Sequence, residues 1–469
     1  MSAALQGLPL ATGLSSSERL LLLEAAVRGT RYRESMSHRR IAPLARDIER
    51  LRELGGSMPE EGVSPARVLD DLDAIGSPAT VGVTSGRYFG FVTGGSLPVT
   101  VAANWLASAW DQNAVLAAAS PTAAELERIA LEWVLELLEL PRTAGGALVT
   151  GATMANFTAL AAARHAMLAN VGWDVERQGL QGAPLLNVVV GEEAHCSLMR
   201  ALSLLGIGLE RCIRVPVDGE GRMRADALPA SLEGPTILCA QAGNVNTGAV
   251  DPLQPLAQWA RAHRAWMHID GAFGLWAAAA PHRKQLLAGH ALADSWAIDA
   301  HKWLNVPYDC GIALVRQPRT LSAALALQAD YLPATKVREP VQFTPELSRR
   351  ARGVEVWAAL RALGRRGVAE LVERCCMHAD QFARHLAAAG ARVLNQVSLN
   401  QVLICFGSDE RTRRIIEAVQ RDGTCWCGGT VWQGRAAMRI SVSSWATTEA
   451  DVEVSIAAIR RCMREVPEL

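Results

Sequence analysis

The chain has 469 residues, 50% of them hydrophobic, and its 47 lysines and arginines balance 47 aspartates and glutamates. A formal charge of zero removes the electrostatic basis for binding nucleic acid or an anionic membrane, and that apolar content supports a large core with more than one structural unit. No apolar run approaches the ~20 residues of a bilayer span, and the N-terminus lacks the basic-then-apolar pattern of a signal peptide, so a cytoplasmic location is expected.

In chain order, residues 1 to about 80 carry helical periodicity through Leu20, Leu23, Ala26 and Val27, then Ile41, Leu44, Ile48 and Leu51. This segment has little core of its own. A glycine-rich aromatic stretch follows, Arg87-Tyr88-Phe89-Gly90-Phe91-Val92-Thr93-Gly94-Gly95-Ser96. A helix is predicted over Thr122–Leu140, with Ser120 as N-cap, Pro121 at the first helical position and Pro141 as the stop. Between about 81 and 350, helices alternate with short apolar strands at 147–150, 187–190, 210–215, 236–240, 266–270, 295–299 and 311–315. That alternation predicts a mostly parallel sheet. The remainder predicts a long helix from Val354, strands near 392–394, 401–406 and 437–443, and a last helix capped by Thr447-Thr448-Glu449. Ten cysteines lie mostly inside apolar elements or side by side, as Cys375-Cys376 do, which predicts reduced core thiols. Cys425-Trp426-Cys427 lacks the spacing and the second pair of a zinc site, and no metal is expected.

Two stretches bear on chemistry. Trp266-Met267-His268-Ile269-Asp270-Gly271-Ala272 reads as a buried strand with a carboxylate at its C-terminal end. Asp299-Ala300-His301-Lys302-Trp303 sets a histidine–lysine pair in the turn after the next strand. An acid and an amine on adjacent strand ends are the two fixed groups that pyridoxal phosphate chemistry needs. The lysine holds the aldehyde as a Schiff base; the acid faces the pyridine nitrogen and keeps it protonated, so the ring accepts electrons. Read alone, the pair is a capping acid and a solvated lysine. Upstream, strand 147–150 runs through Gly151-Ala152-Thr153-Met154-Ala155-Asn156 into an apolar-periodic helix. Such a turn offers free amides and a positive dipole end to a phosphate, although small residues there also serve simple packing. His195 follows strand 187–190, placed to stack on a ring or to cap a helix. All of these sit just after C-terminal strand ends, where open α/β sheets bind ligands.

In this order the motifs resemble the group II pyridoxal-phosphate-dependent decarboxylases, the family of aromatic-L-amino-acid, glutamate and histidine decarboxylases. The likeness extends through Ser120-Pro121-Thr122 with Glu125-Leu126-Glu127, through Asp309-Cys310-Gly311, and through Arg349-Arg350-Ala351-Arg352-Gly353-Val354-Glu355-Val356-Trp357. It implies an α/β chain of fold type I, with a mostly parallel central sheet and helices on both faces. Residues 1–80 would be a helical arm wrapping a second subunit in a homodimer, 81–350 a large cofactor domain and 351–469 a small α/β domain. It implies Lys302 as the lysine that carries the cofactor, Asp270 as the ring acid and His195 as the stacking group. Ala152, Thr153, Ala272, Asp299 and His301 would complete the cofactor site. A mobile loop after the lysine carries, in this family, a tyrosine that protonates the substrate α-carbon once carbon dioxide has left. Here it is Tyr331, in Gln328-Ala329-Asp330-Tyr331-Leu332. Relatives that make aldehydes by oxidative deamination often have phenylalanine at that position.

The sequence also departs from the family. Asp299 stands where animal aromatic decarboxylases have asparagine, and Gly94 stands where a carboxylate-contacting threonine is expected, which removes one substrate contact. Phe91, Thr93 and Arg439 are the remaining substrate candidates. Arg439, on a late strand, is placed to hold a carboxylate or to form a salt bridge between domains. The reading that results is decarboxylation of an L-amino acid, with an aromatic or other apolar side chain favoured. An aldehyde synthase, an aminotransferase or a non-catalytic relative are its competitors; the last would lack the lysine or the acid, and both are present.

Overall fold

The computed structural model describes residues 13–326 and 338–468. Seven strands form the central sheet: β1 (Gly145–Val149), β2 (Asn187–Gly191), β3 (Ile213–Val215), β4 (Thr236–Gln241), β5 (Trp266–Asp270), β6 (Ser295–Asp299) and β7 (Gly311–Val315). Their order is β1-β7-β6-β5-β4-β2-β3. β7 alone is reversed, antiparallel to both β1 and β6, while the other neighbours pair parallel. β4 to β7 are buried along almost their whole length, as expected of strands covered on both faces. The core beside them includes the fully buried Trp276, Trp296 and Trp303.

The reversal of β7 sets the site edge. Because it runs backwards, its first residue, Gly311, arrives where β1 and β6 end, paired with Val149 on one side and Asp299 on the other. A Cβ on Gly311 would lie 2.5 Å from the Gly151 carbonyl carbon, so glycine here lets the turn after β1 close over the end of β6.

Four antiparallel strands form a second sheet, β8 (Arg392–Val393), β9 (Gln401–Cys405), β10 (Gly428–Trp432) and β11 (Arg435–Ser441), in the order β10-β11-β9-β8. β10 is not among the predicted strands. It opens on Gly428-Gly429, and its hairpin turns on Gln433-Gly434, both at positive φ, without the Asn-Gly signature of such turns. The 210–215 strand shortens to Ile213–Val215 because Leu209–Arg211 forms a 3-10 turn.

The helix predicted from Thr122 runs Pro121–Leu137. Ser120 occupies the cap position, but its hydroxyl accepts no capping bond from the first turn. The end comes before Pro141, because Glu139 turns left-handed (φ 52°) and Leu140 N–H bonds back to the Leu135 carbonyl. The long helix Gly353–Ala388 breaks at Gly364, whose φ of 61° no helix accommodates. The last helix, Glu449–Glu465, is capped by Thr448 in a capping box with Asp451.

At the N-terminal end, helices Ser16–Ser35, Ala45–Arg50 and Pro65–Asp71 contain no buried residue. Leu20, Leu23, Val27, Ile48 and Leu51 are exposed, whereas Ile41 is fully buried. All ten cysteines are free, and nine are buried; Cys196 is exposed. No described helix is long and apolar enough to cross a membrane.

Candidate active site

β5 and β6 are parallel neighbours, with Asp270 opposite Ala297, so Asp270 and the turn that follows Asp299 emerge at one sheet edge. Asp270 is buried, and each of its oxygens accepts one hydrogen bond. Ala272 N–H donates to Oδ1 at 3.2 Å, and the Asn156 side-chain amide donates to Oδ2 at 3.1 Å. The first donor comes from the turn after β5, the second from the helix Ala152–Ala169. Ala272 thus acts on the acid through its backbone.

In the turn after β6, Lys302 Nζ lies 3.1 Å from Asp299 Oδ2, an ion pair whose acid side chain is only 3% exposed. His301 Nε2 sits 3.6 Å from the same oxygen, while its Nδ1 accepts the Cys310 N–H at 3.1 Å and its ring meets Tyr308 at 4.4 Å. Burial pushes the His301 imidazole below its usual pKa, against the pull of Asp299. The departure from asparagine at position 299 therefore has a local use: the acid pairs with the lysine. Its other oxygen, Oδ1, is buried without a hydrogen-bond partner and faces Gly151.

Gly151 leads into the helix Ala152–Ala169, whose first internal bond is Ala155 N–H to the Gly151 carbonyl. The amides of Ala152, Thr153 and Met154 precede that bond, and helix first-turn amides have no intrahelical partner. Ala152 is buried and Thr153 half-buried, so the head of this helix stands beside Asp299 and His301 with its dipole's positive end.

His195 caps the helix Cys196–Leu204, accepting the Ser197 N–H on Nδ1 at 3.2 Å and contacting Ser197 Oγ at 2.7 Å. The other ring nitrogen is left to carry the proton. Burial lowers the His195 pKa; Asp270 and Asp299 oppose that shift, while Lys302 and Arg439 add to it. Of the alternatives the sequence offered, the helix cap is the one these contacts show. Ser197, which holds the His195 ring, carries no signal in the sequence.

The substrate candidates gather on the other side. Gly94 packs so closely that a Cβ would fall 1.6 Å from the Lys302 carbonyl oxygen, so backbone clearance excludes a threonine there. Thr93 is buried, 3.5 Å from the Tyr308 hydroxyl. Phe91 and Val92 both hold positive φ (52° and 58°), a conformation costly for such side chains and concentrated at functional sites. Phe91 lies against Trp426 at 5.3 Å, and Trp426 stacks on Tyr88 at 5.2 Å. Burial raises the Tyr88 hydroxyl to about 12. Arg439 is half-buried near these rings; it donates to Asn246 Oδ1 at 3.5 Å, and no carboxylate pairs with it among the described residues. Tyr331 lies outside the described residues. Trp426, Tyr308, Asn156 and His268 were also missed. For His268 a signal existed, since it stands two residues before Asp270 and shares its strand face.

Residues 49–408 match the family model described as the pyridoxal-dependent decarboxylase conserved domain. The chain belongs to the pyridoxal-dependent decarboxylases. An aromatic-L-amino-acid decarboxylase of Bacillus atrophaeus is 31% identical over 373 residues, covering 76% of this chain and 75% of that protein. An L-2,4-diaminobutyrate decarboxylase of Rhizobium meliloti is 30% identical over 385 residues, covering 78% and 74%. A 4-hydroxyphenylacetaldehyde synthase of Rhodiola rosea is 26% identical over 453 residues, covering 90% of each. The crystal structure of Oryza sativa TDC with PLP and tryptamine has the same fold, with a TM-score of 0.89 at 24% identity over 98% of this chain and 99% of that one. The residues present fit this family's cofactor: a lysine, a buried acid one strand away and the helix head after β1, beside Asp299 and His301, bring amine, carboxylate and anion-binding amides to one edge.

Proposed function

We propose that this pyridoxal-dependent decarboxylase releases carbon dioxide from an L-amino acid with an aromatic or other apolar side chain, giving the amine. The observation that carries the reading is the convergence of Lys302, Asp270 and the Gly151 helix head at one sheet edge, in a chain that matches the family across residues 49–408.

In this reading Lys302 holds the cofactor aldehyde, and Asp299 keeps the lysine amine in place. Asp270, its two oxygens fixed by Ala272 N–H and Asn156, faces the ring nitrogen. Ala152 and Thr153 would hold the phosphate at the helix head, and His195 would contact the cofactor ring. Ala272 and His301 line the remaining edges. When bound, the cofactor supplies an electron sink for the bond to the α-carboxylate. Arg439 holds a substrate carboxylate, a role supported by its lack of an acidic partner among the described residues. Phe91 and Thr93 border the side-chain pocket; the stacked rings of Tyr88, Phe91 and Trp426 favour an aromatic substrate.

Tyr331 returns the proton to the α-carbon. The aldehyde-synthase relative keeps the second outcome in view, and Tyr331→Phe distinguishes them. The variant is expected to release amine roughly 10²–10⁴-fold more slowly, the range of general acids, and to divert part of its product to aldehyde and ammonia under air. Mass spectrometry of products under air and under nitrogen reads this; equal amine yields without aldehyde would assign the proton to another group.

The active form is a homodimer in this account. The exposed Leu20, Leu23, Val27, Ile48 and Leu51 need a covering surface that the described residues of one chain do not supply. Light scattering should return twice the 50.3 kDa chain mass, and a fully active monomer would contradict it.

A further inference from the structure

Behind Asp270 lies a buried polar chain that the proposed chemistry does not use. Trp266, His268 and Asp270 alternate along β5 and so share the face turned to the helix Ala152–Ala169. His268 and Asn156 are fully buried, as is Ser295 at the start of β6. Each link is within hydrogen-bonding distance. Trp266 Nε1–H donates to Ser295 Oγ at 2.8 Å, Ser295 Oγ meets His268 Nδ1 at 2.8 Å, and His268 Nε2 meets Asn156 Oδ1 at 2.8 Å. The Asn156 amide then donates to Asp270 Oδ2 at 3.1 Å.

Only one arrangement of hydrogens satisfies every group. The carboxylate accepts, so the NH2 of Asn156 must face it and the amide oxygen must face His268. His268 Nε2 therefore carries the proton, and Nδ1 accepts from the Ser295 hydroxyl, whose oxygen accepts from Trp266. The indole has no acceptor mode, which fixes the polarity at its far end. Burial drives the His268 pKa down to about 3, so the ring stays neutral and the tautomer is set by its partners.

We propose that Asn156 and His268 are positioning residues that lock the orientation of the Asp270 carboxylate toward the cofactor ring nitrogen. This rests on the reading of Asp270 as the ring acid. If Nε2–H is removed, the Asn156 amide is free to flip, its oxygen then meets Oδ2, and opposed lone pairs turn the carboxylate off its line. A well-satisfied buried network is costly to break at any one member, so the effect reaches the acid from two residues away along the strand.

The test compares His268→Phe, His268→Gln and Asn156→Leu in the holoenzyme. Phenylalanine fills the space without a donor, whereas glutamine restores an N–H close to the Nε2 position. His268→Phe and Asn156→Leu should lower kcat by about 10–100-fold with KM nearly unchanged, the size seen when an outer hydrogen-bond partner of a reactive centre is removed. His268→Gln should stay within about threefold of the parent, on the same reasoning. The second readout is the ring nitrogen itself, followed by NMR with 15N-labelled pyridoxal phosphate. Its deprotonation should move to lower pH in the two damaging variants and not in His268→Gln. Should His268→Phe not fold, Asn156→Leu and the labelled wild type carry the test, since a flipped network predicts a shifted ring-nitrogen titration regardless of stability. Unchanged titration and kcat in Asn156→Leu would overturn the proposal. If Asp270→Asn itself left both unchanged, the assignment of the ring acid would fail instead.

Discussion

Replacing Lys302 by alanine is expected to abolish the visible absorption band that borohydride bleaches and to cut turnover by roughly 10⁴–10⁶-fold, the scale on which covalent catalytic groups are lost. Among the described residues, Lys302 is the one lysine at this edge, and its amine is the group able to bond the cofactor aldehyde. The change also tests the ion pair. Without Lys302, the Asp299 side chain keeps only the His301 ring, at 3.6 Å, beside it among the described residues, and burial disfavours the charged form of that ring. Leaving a buried acid unpaired costs about 3 kcal/mol. Urea denaturation of the cofactor-free protein should register that loss, and Lys302→Ala combined with Asp299→Asn should recover most of it. A reducible visible band surviving in Lys302→Ala would place the cofactor on another lysine.

Asp270→Asn is expected to lower kcat by about 10²–10³-fold, as removing one fixed charge from a reacting centre does, while substrate binding changes little. The structure limits the accompanying loss of stability. Asparagine has the aspartate's shape but only one acceptor, and two donors, Ala272 N–H and the Asn156 amide, point at the site. Because His268 holds the Asn156 oxygen, the amide cannot turn to accommodate the new NH2 group. One unmatched donor costs about 1–3 kcal/mol, a small part of the change in rate. Stopped-flow turnover alongside thermal denaturation separates the two, and an unchanged kcat would remove Asp270 from the chemistry.

Residues whose role is fixed by strand ends were legible from the sequence. Buried apolar runs closed by Asp270 or followed by Lys302 could be placed because a parallel sheet aligns the C-terminal ends of its strands. What the sequence did not carry were contacts between distant elements. Asn156 reads as one small polar residue in an apolar helix; only the packing of that helix on β5 brings it to Asp270, 114 positions away. Gly94 read as a lost substrate contact, whereas its backbone approach to Lys302 is a matter of tertiary clearance. Trp426 stands between two cysteines whose spacing fits no zinc site, so the stretch reads as structural, and its ring partners Tyr88 and Phe91 are over 300 positions away. β10 escaped notice because paired glycines carry no β signal until a hairpin partner supplies one.

The central claim is that this site removes carbon dioxide from an aromatic or apolar L-amino acid. It is met most directly by incubating the holoenzyme with a panel of carboxyl-labelled L-amino acids and measuring labelled carbon dioxide together with the organic product. The account predicts stoichiometric carbon dioxide and amine, fastest with an aromatic substrate, and neither product from Lys302→Ala. Aldehyde, ammonia and peroxide in place of amine, or turnover confined to charged side chains such as that of 2,4-diaminobutyrate, would contradict it.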